Sequence, residues 1–154
     1  MSHSAESVAV PPRREIPAEL TWDLTPLYAA PEAWEADFAR LDDLLAPVLA
    51  LQGQLNSAAA VARLLEAETV LDRVLEKLHT YAHLRHDEDT ADDANQPREA
   101  RVRARYAELA AQCAWITPEL LAHPEAEIRA WMEAPELKDC RRTLLKVLRN
   151  KPHV

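Results

Sequence analysis

Apolar residues recur at helical intervals along most of the chain. From Trp34 onward, the apolar positions follow one another at intervals of four, three, four and three residues, which is the period of one face of an α-helix. These positions are Trp34, Phe38, Leu41, Leu45 and Val48. Pro31 suits the first position of this helix, because the N–H that proline lacks has no intrahelical partner there. The helix is predicted to kink or end near Pro47.

A longer helix is predicted from Ala58 to about His86. No helix-breaking residue interrupts this segment, and a row of apolar residues stays on one side of it at about 3.6 residues per turn. The row consists of Leu64, Leu71, Leu75, Leu78 and Ala82. Residues 53–57 are predicted to form the preceding turn, in which Ser57 caps the helix.

More helices are predicted in the second half of the chain. The polar segment DEDTADDANQ, residues 87–96, interrupts the pattern, and Pro97 can then start a third helix. Its apolar stripe consists of Val102, Tyr106, Leu109, Cys113 and Ile116. Short helices are predicted to begin near Pro118 and Pro124. The last helix is predicted at residues 135–150, and its inner stripe consists of Leu137, Arg141, Leu144 and Leu148.

The start of the chain has a different character. Residues 1–14 are small, polar and without periodicity, which indicates a flexible leader. Residues 15–28 carry two prolines among scattered apolar residues, which favours an extended strap pressed onto the helices, with Trp22 as its anchor. The whole pattern predicts one all-α domain at residues 15–154, a multi-helix antiparallel bundle preceded by a short extended strap.

Composition narrows the range of functions. The 154 residues include a single glycine, Gly53, whereas phosphate-binding loops and dinucleotide folds need several glycines for tight turns and close backbone approach. ATP, GTP and NAD chemistry are therefore disfavoured. The formal net charge of −8 argues against nucleic acid or an anionic membrane as a partner, since both attract basic proteins.

The two cysteines, Cys113 and Cys140, stand far apart and form no CxxC pair, so neither a disulfide framework nor a cysteine zinc site is supported. We expect Cys113 to belong to the core and not to act as a nucleophile. No apolar run approaches the roughly 20 residues of a membrane helix. These features predict a cytoplasmic protein with reduced thiols.

His79, His83 and His86 form the clearest candidate for chemistry. On a helix they share one face, and Glu76 and Asp72 lie on that face one and two turns before His79. One interpretation is a stripe that binds zinc or another divalent metal. The interpretation that we favour is the polar side of an amphipathic helix, because two turns of helix rarely supply a closed tetrahedral site.

Other catalytic patterns are missing from the sequence. The metalloprotease motif HExxH places a glutamate directly after its first histidine, but Thr80 follows His79, and no serine or cysteine nucleophile motif occurs. Four arginines could bind a phosphate or carboxylate, or could form a solvated face that offsets the acidic helices, which we favour. They are Arg98, Arg101, Arg103 and Arg105.

Several segments together resemble the oligoendopeptidase F family, zinc metallopeptidases related to thimet oligopeptidase. The segment EIPAELTWDLTPLY, residues 15–28, is similar to the family's entry pattern I-P-x-x-x-x-W-D-L-x-x-L-Y, and AWEADF, residues 33–38, to its first helix. YAHLRHDEDTADDANQ, residues 81–96, resembles a helix end and loop of the family. LRNKPHV, residues 148–154, is similar to the joint that leads into the rest of the enzyme.

The resemblance implies a helical, non-catalytic N-terminal domain that shapes or gates the substrate channel of an enzyme hydrolysing short peptides at a zinc ion. The family's HExxH motif, and with it the zinc, belongs to a catalytic domain that is absent from these 154 residues. No catalytic, cofactor-binding or metal-binding residue is therefore assigned in this chain, which we expect to be inactive alone. Its expected partners are the catalytic domain and an oligopeptide substrate. The alternative is a small metal-binding or protein-interaction module that uses His79, His83 and His86.

Overall fold

The computed structural model describes residue 11 and residues 13–90 and 92–150. Within these residues the chain forms α-helices and short 3₁₀ turns, and no β-strand, so the predicted all-α fold is confirmed. The helices are α1 (Pro31–Ala39), α2 (Leu41–Leu49), α3 (Ala58–Glu88), α4 (Asn95–Gln112), α5 (Ile116–Leu121), α6 (Glu125–Trp131) and α7 (Arg141–Asn150). The 3₁₀ turns are Arg13–Glu15, Ala18–Leu20 and Pro135–Cys140.

The long helix α3 is the centre of the fold. It packs against α1, α2, α4 and the Pro135–Cys140 turn, and the predicted row of leucines with Ala82 is buried along it. The hydroxyl oxygen of Ser57 accepts a hydrogen bond from the backbone N–H of Ala60, so the predicted cap is confirmed. The turn before it contains Gly53 at φ +76°, a left-handed conformation that glycine adopts without a Cβ penalty.

The apolar stripe that begins at Trp34 is divided between two helices. We predicted one helical face, but α1 ends and α2 begins at Arg40. Pro47 lies inside α2, which ends two residues later at Leu49, near the predicted position. The stripe nevertheless faces the core, because Trp34 and Val48 are fully buried and Phe38 packs against the core cluster.

The segment before α1 departs from the predicted strap. It contains the Arg13–Glu15 and Ala18–Leu20 turns and is not extended throughout. Leu24 and Tyr28 are buried, whereas Trp22 is 55% exposed, so the prediction that Trp22 anchors the segment is wrong. Most of the predicted leader, residues 1–10 and 12, lies outside the described residues.

The second half of the fold follows the predicted periodicity with local differences. Helix α4 begins two residues before Pro97. On its stripe, Val102 and Leu109 are buried, but Tyr106 is 55% exposed, because it borders an open groove beside α3. The last element is a 3₁₀ turn followed by α7 instead of one helix, and Arg141 is exposed between the buried leucines. Among the described helices, none is both long and apolar enough to cross a membrane.

Candidate functional site

The three predicted histidines lie along the C-terminal third of α3. The rings of His79 and His83 stack, with centroids 5.9 Å apart and planes 16° apart. His83 Nε2 lies 3.5 Å from Asp87 Oδ2, and its Nδ1 lies 3.5 Å from Glu99 Oε1. The imidazole of His83 therefore lies between carboxylates of two helices.

Glu99, on α4, is shared between two histidines. Its other carboxylate oxygen lies 3.9 Å from His86 Nε2. Asp72 and Glu76, which sequence placed on the histidine face, border a different opening with His79. Among the described residues, no three histidine, cysteine or acidic side chains converge closely enough to hold a metal ion. The structure thus joins His83 and His86 to Glu99, whereas His79 lies beside the two predicted acidic residues, Asp72 and Glu76.

An open groove runs between α3 and α4 beside His79. One part of it, with a volume of about 300 Å³, is lined by Asp72, Leu75, Glu76, His79 and Tyr106. A smaller part of about 130 Å³ continues along the same two helices, past Glu68, Leu71, Leu109 and Cys113. We call this surface the α3–α4 groove. It combines an apolar floor with carboxylates on the α3 side.

The carboxylates of the groove have perturbed proton affinities. Burial raises the pKa of Glu68 to about 7, and the negative charge of Asp72 contributes to the increase. The pKa of Asp72 is raised by burial and by the charge of Glu76. Burial, together with the negative charges of Glu68 and Asp72, also raises the pKa of the Cys113 thiol. A raised pKa disfavours the thiolate, which supports the prediction that Cys113 is not a nucleophile.

Two of the four arginines of α4, Arg101 and Arg105, reach acidic residues of the neighbouring helices. Arg101 donates two hydrogen bonds, of 2.8 and 2.9 Å, to the carboxylate of Glu35, which lowers the pKa of Glu35. Arg105 pairs with Asp42 of α2 and with Glu108. These contacts support the interpretation for Arg101 and Arg105, which offset acidic residues of α1 and α2 and link α4 to both helices. The side chain of Arg105 is only 16% exposed, so this residue does not belong to a solvated face.

Two polar residues that sequence reasoning did not single out connect elements of the fold. The buried Asn95 donates from Nδ2 to the carbonyl of Arg85 (2.9 Å) and accepts from Arg98 (3.0 Å), so it fixes the α3–α4 connection. In sequence, Asn95 is recognisable only as part of the pair Asn95-Gln96, which closes the segment at residues 81–96 that resembles the family.

Glu119 is the second such residue. Its two carboxylate oxygens accept hydrogen bonds from the backbone N–H groups of Gly53 (2.8 Å) and Leu55 (2.9 Å). Glu119 therefore joins α5 to the turn before α3. From sequence alone, Glu119 can be recognised only as part of a helix start, because the residues that it contacts lie more than sixty positions away.

The known proteins that this chain is similar to are oligopeptidases. A family model described as Oligopeptidase F matches residues 119–154. The chain is 30% identical to oligopeptidase PepF of Bacillus subtilis, and the match covers all of this chain and 23% of that protein. It is 31% identical to the group B oligopeptidase PepB of Streptococcus agalactiae over 92% of its own length and 24% of that protein.

This chain is also similar to a solved structure. The crystal structure of a "putative peptidase" from Chlamydophila abortus superposes with a TM-score of 0.82 and 33% identity, over 95% of this chain and 25% of that one. The chain thus spans about a quarter of the length of the proteins it matches. On these sequence and structural matches, the chain belongs to the oligoendopeptidase F family and corresponds to the N-terminal region of its members.

Proposed function

We propose that this chain is a non-catalytic N-terminal lobe of a zinc-dependent oligoendopeptidase F-type peptidase. In this role it forms part of the wall of the channel that admits short peptides. The observation that carries the proposal is the match of the whole chain to an oligopeptidase of which it spans only 23%. The catalytic machinery of such an enzyme then belongs to the remaining part.

The described residues do not fit a peptidase zinc centre. A centre of the HExxH type needs two histidines four residues apart and a glutamate that acts on the zinc-bound water. His79 and His83 have the spacing, but Thr80 occupies the glutamate position, and His83 faces Asp87 and Glu99. We therefore derive no catalytic step from this chain and assign zinc, base and peptide hydrolysis to the catalytic domain.

The proposal also includes the partners and the cellular location. The direct partner of the lobe is the catalytic domain, and the substrate of the complete enzyme is an oligopeptide. A cytoplasmic location is favoured by the two free cysteines, Cys113 and Cys140, because thiols stay reduced in that compartment.

A hydrolysis assay with a quenched fluorescent peptide tests the proposal. We expect no hydrolysis by the 154-residue chain alone. A hybrid, in which this chain replaces the matched segment of the Bacillus subtilis relative, is expected to hydrolyse the peptide and to lose activity with a chelator. The same relative without the segment serves as the control. Chelator-sensitive hydrolysis by the isolated chain, or a folded hybrid without activity, would contradict the proposal.

A further inference from the structure

The α3–α4 groove is an open surface whose lining comes from two helices and Cys113, the residue that follows α4. Leu71, Leu75 and Leu109 lie beneath the groove and are buried in the core, so its exposed apolar surface is mainly the ring of Tyr106, which is 55% exposed at its edge. Large exposed aromatic side chains at the edge of an apolar groove are typical of contact surfaces. The groove therefore offers one exposed aromatic ring beside a row of carboxylates.

The charge on the groove is one-sided. Glu68, Asp72 and Glu76 follow one another at four-residue spacing on the groove side of α3, where like charges repel. Helix α4 contributes mainly neutral side chains to the opposite wall. Its cation Arg103 reaches only the end of the groove, beside His79, and lies 4.0 Å from Glu99.

This arrangement is electrostatically unfavourable when the groove is empty. Desolvation and mutual repulsion both disfavour the ionised carboxylates, and the raised pKa values of Glu68 and Asp72 express that cost. A cation placed beside them would reverse both effects. A partner with basic side chains thus complements the groove, and a neutral or acidic partner does not.

The length of the groove suits a helix. From Glu68 to His79 the wall of α3 extends over eleven residues, or about 16 Å at about 1.5 Å per residue, which is roughly three helical turns. Because the chain covers 25% of the homologous Chlamydophila abortus structure, about three quarters of that protein lies outside the matched part and can supply such a helix.

We propose that the α3–α4 groove is a docking surface for a basic amphipathic helix of the catalytic domain. The apolar face of that helix contacts the exposed ring of Tyr106, and its lysine or arginine side chains face the three carboxylates. This inference rests on the proposed function, since it names the surface through which the lobe meets its partner.

Calorimetry with a synthetic leucine/lysine amphipathic helix tests the chemistry of the groove, and the matching leucine/glutamate helix is the negative control. We expect the basic helix to bind about ten-fold more weakly to the variant Glu68→Gln/Asp72→Asn/Glu76→Gln than to the unmodified chain. A control variant with the same three types of substitution, Glu32→Gln/Asp43→Asn/Glu136→Gln, alters exposed residues outside the groove and is expected to bind like the unmodified chain.

The pH dependence gives a second readout. Binding is expected to strengthen between about pH 6 and pH 8, because Glu68, with a pKa of about 7, loses its proton when the cation docks. His79 and Arg103 line the end of the groove, and the positive charge of Arg103 opposes the cation there at every pH in this range. Equal weakening in both triple variants, or no weakening in the groove variant, would overturn the proposal.

The identity of the partner is tested in the hybrid enzyme. In a background with Cys113→Ala and Cys140→Ala, the variant Tyr106→Cys is expected to react with a maleimide in the isolated chain and to be protected in the hybrid. Equal labelling rates in both would overturn the assignment to the catalytic domain. These results are independent of the hydrolysis assay, so failure of the docking surface and failure of the proposed function remain distinguishable.

Discussion

The indole Nε1 of Trp34 donates a hydrogen bond of 2.9 Å to the backbone carbonyl of Leu78, in the buried middle of α3. The ring of Trp34 is fully buried and stacks on Phe38, with centroids 5.1 Å apart. The guanidinium of Arg101 lies 5.4 Å from the centre of the same ring. Through this one side chain, α1 contacts α3 and α4 together.

Replacing Trp34 by alanine is therefore expected to lower the free energy of unfolding by about 3 to 5 kcal/mol, through loss of buried area and a cavity. Trp34→Phe is expected to cost less, because it keeps an aromatic ring but removes the hydrogen-bond donor. Urea denaturation followed by circular dichroism measures both. Trp22→Ala is the control, since Trp22 is 55% exposed, and a change of at most about 0.5 kcal/mol is expected. An equal cost at both tryptophans would contradict this prediction.

Glu119 is expected to stabilise the turn that precedes α3. Glu119→Ala leaves the N–H groups of Gly53 and Leu55 without their carboxylate acceptor, and we expect a loss of about 1 to 3 kcal/mol in unfolding free energy. Glu119→Gln, which keeps one oxygen acceptor, should lose less. Hydrogen exchange at the amides of Gly53 and Leu55 should accelerate in both variants. Unchanged exchange at these two amides would show that the contact does not hold the turn. Glu136→Gln, at an exposed position, is the control.

Much of the fold could be predicted from sequence, because an amphipathic helix shows a local periodicity of apolar residues. The row of leucines on α3 and the Ser57 cap depend on residues close together in the chain, and both were predicted correctly. The break at Arg40 could not be predicted, since the apolar spacing continues across it without a proline or glycine.

The polar contacts were less predictable because they depend on residues distant in sequence. The pairing of His83 and His86 with Glu99 and the contact of Glu119 with Gly53 join different elements. The prediction that Trp22 anchors its segment failed for a different reason, because it was based on the size of the side chain. Its size suggests burial, but Leu24 and Tyr28 take the inward positions of that segment.

The histidine stripe is expected to bind zinc no more tightly in the unmodified chain than in His83→Ala. The side chain of His83 approaches Asp87 and Glu99 at 3.5 Å each, and the described residues offer no group of three ligands, whereas a structural zinc site takes four. Isothermal calorimetry with zinc measures this directly, with Glu99→Gln as a second variant. Binding that disappears in His83→Ala would instead favour the alternative of a metal-binding module.

Glu68 is expected to make the stability of the chain depend on pH. Its pKa is raised from 4.5 to about 7 in the folded state, so the folded chain holds a proton that the unfolded chain has released. The stabilisation from this proton is complete below about pH 4.5 and is lost as the pH rises through about 7. Glu68→Gln removes this term, so its advantage in unfolding free energy over the unmodified chain should grow between pH 5 and pH 8, by at most about 3 kcal/mol. Urea titrations across this range measure the difference. Glu66→Gln, at an exposed position of the same helix, is the control, and a difference for Glu68→Gln that does not change with pH would contradict the raised pKa.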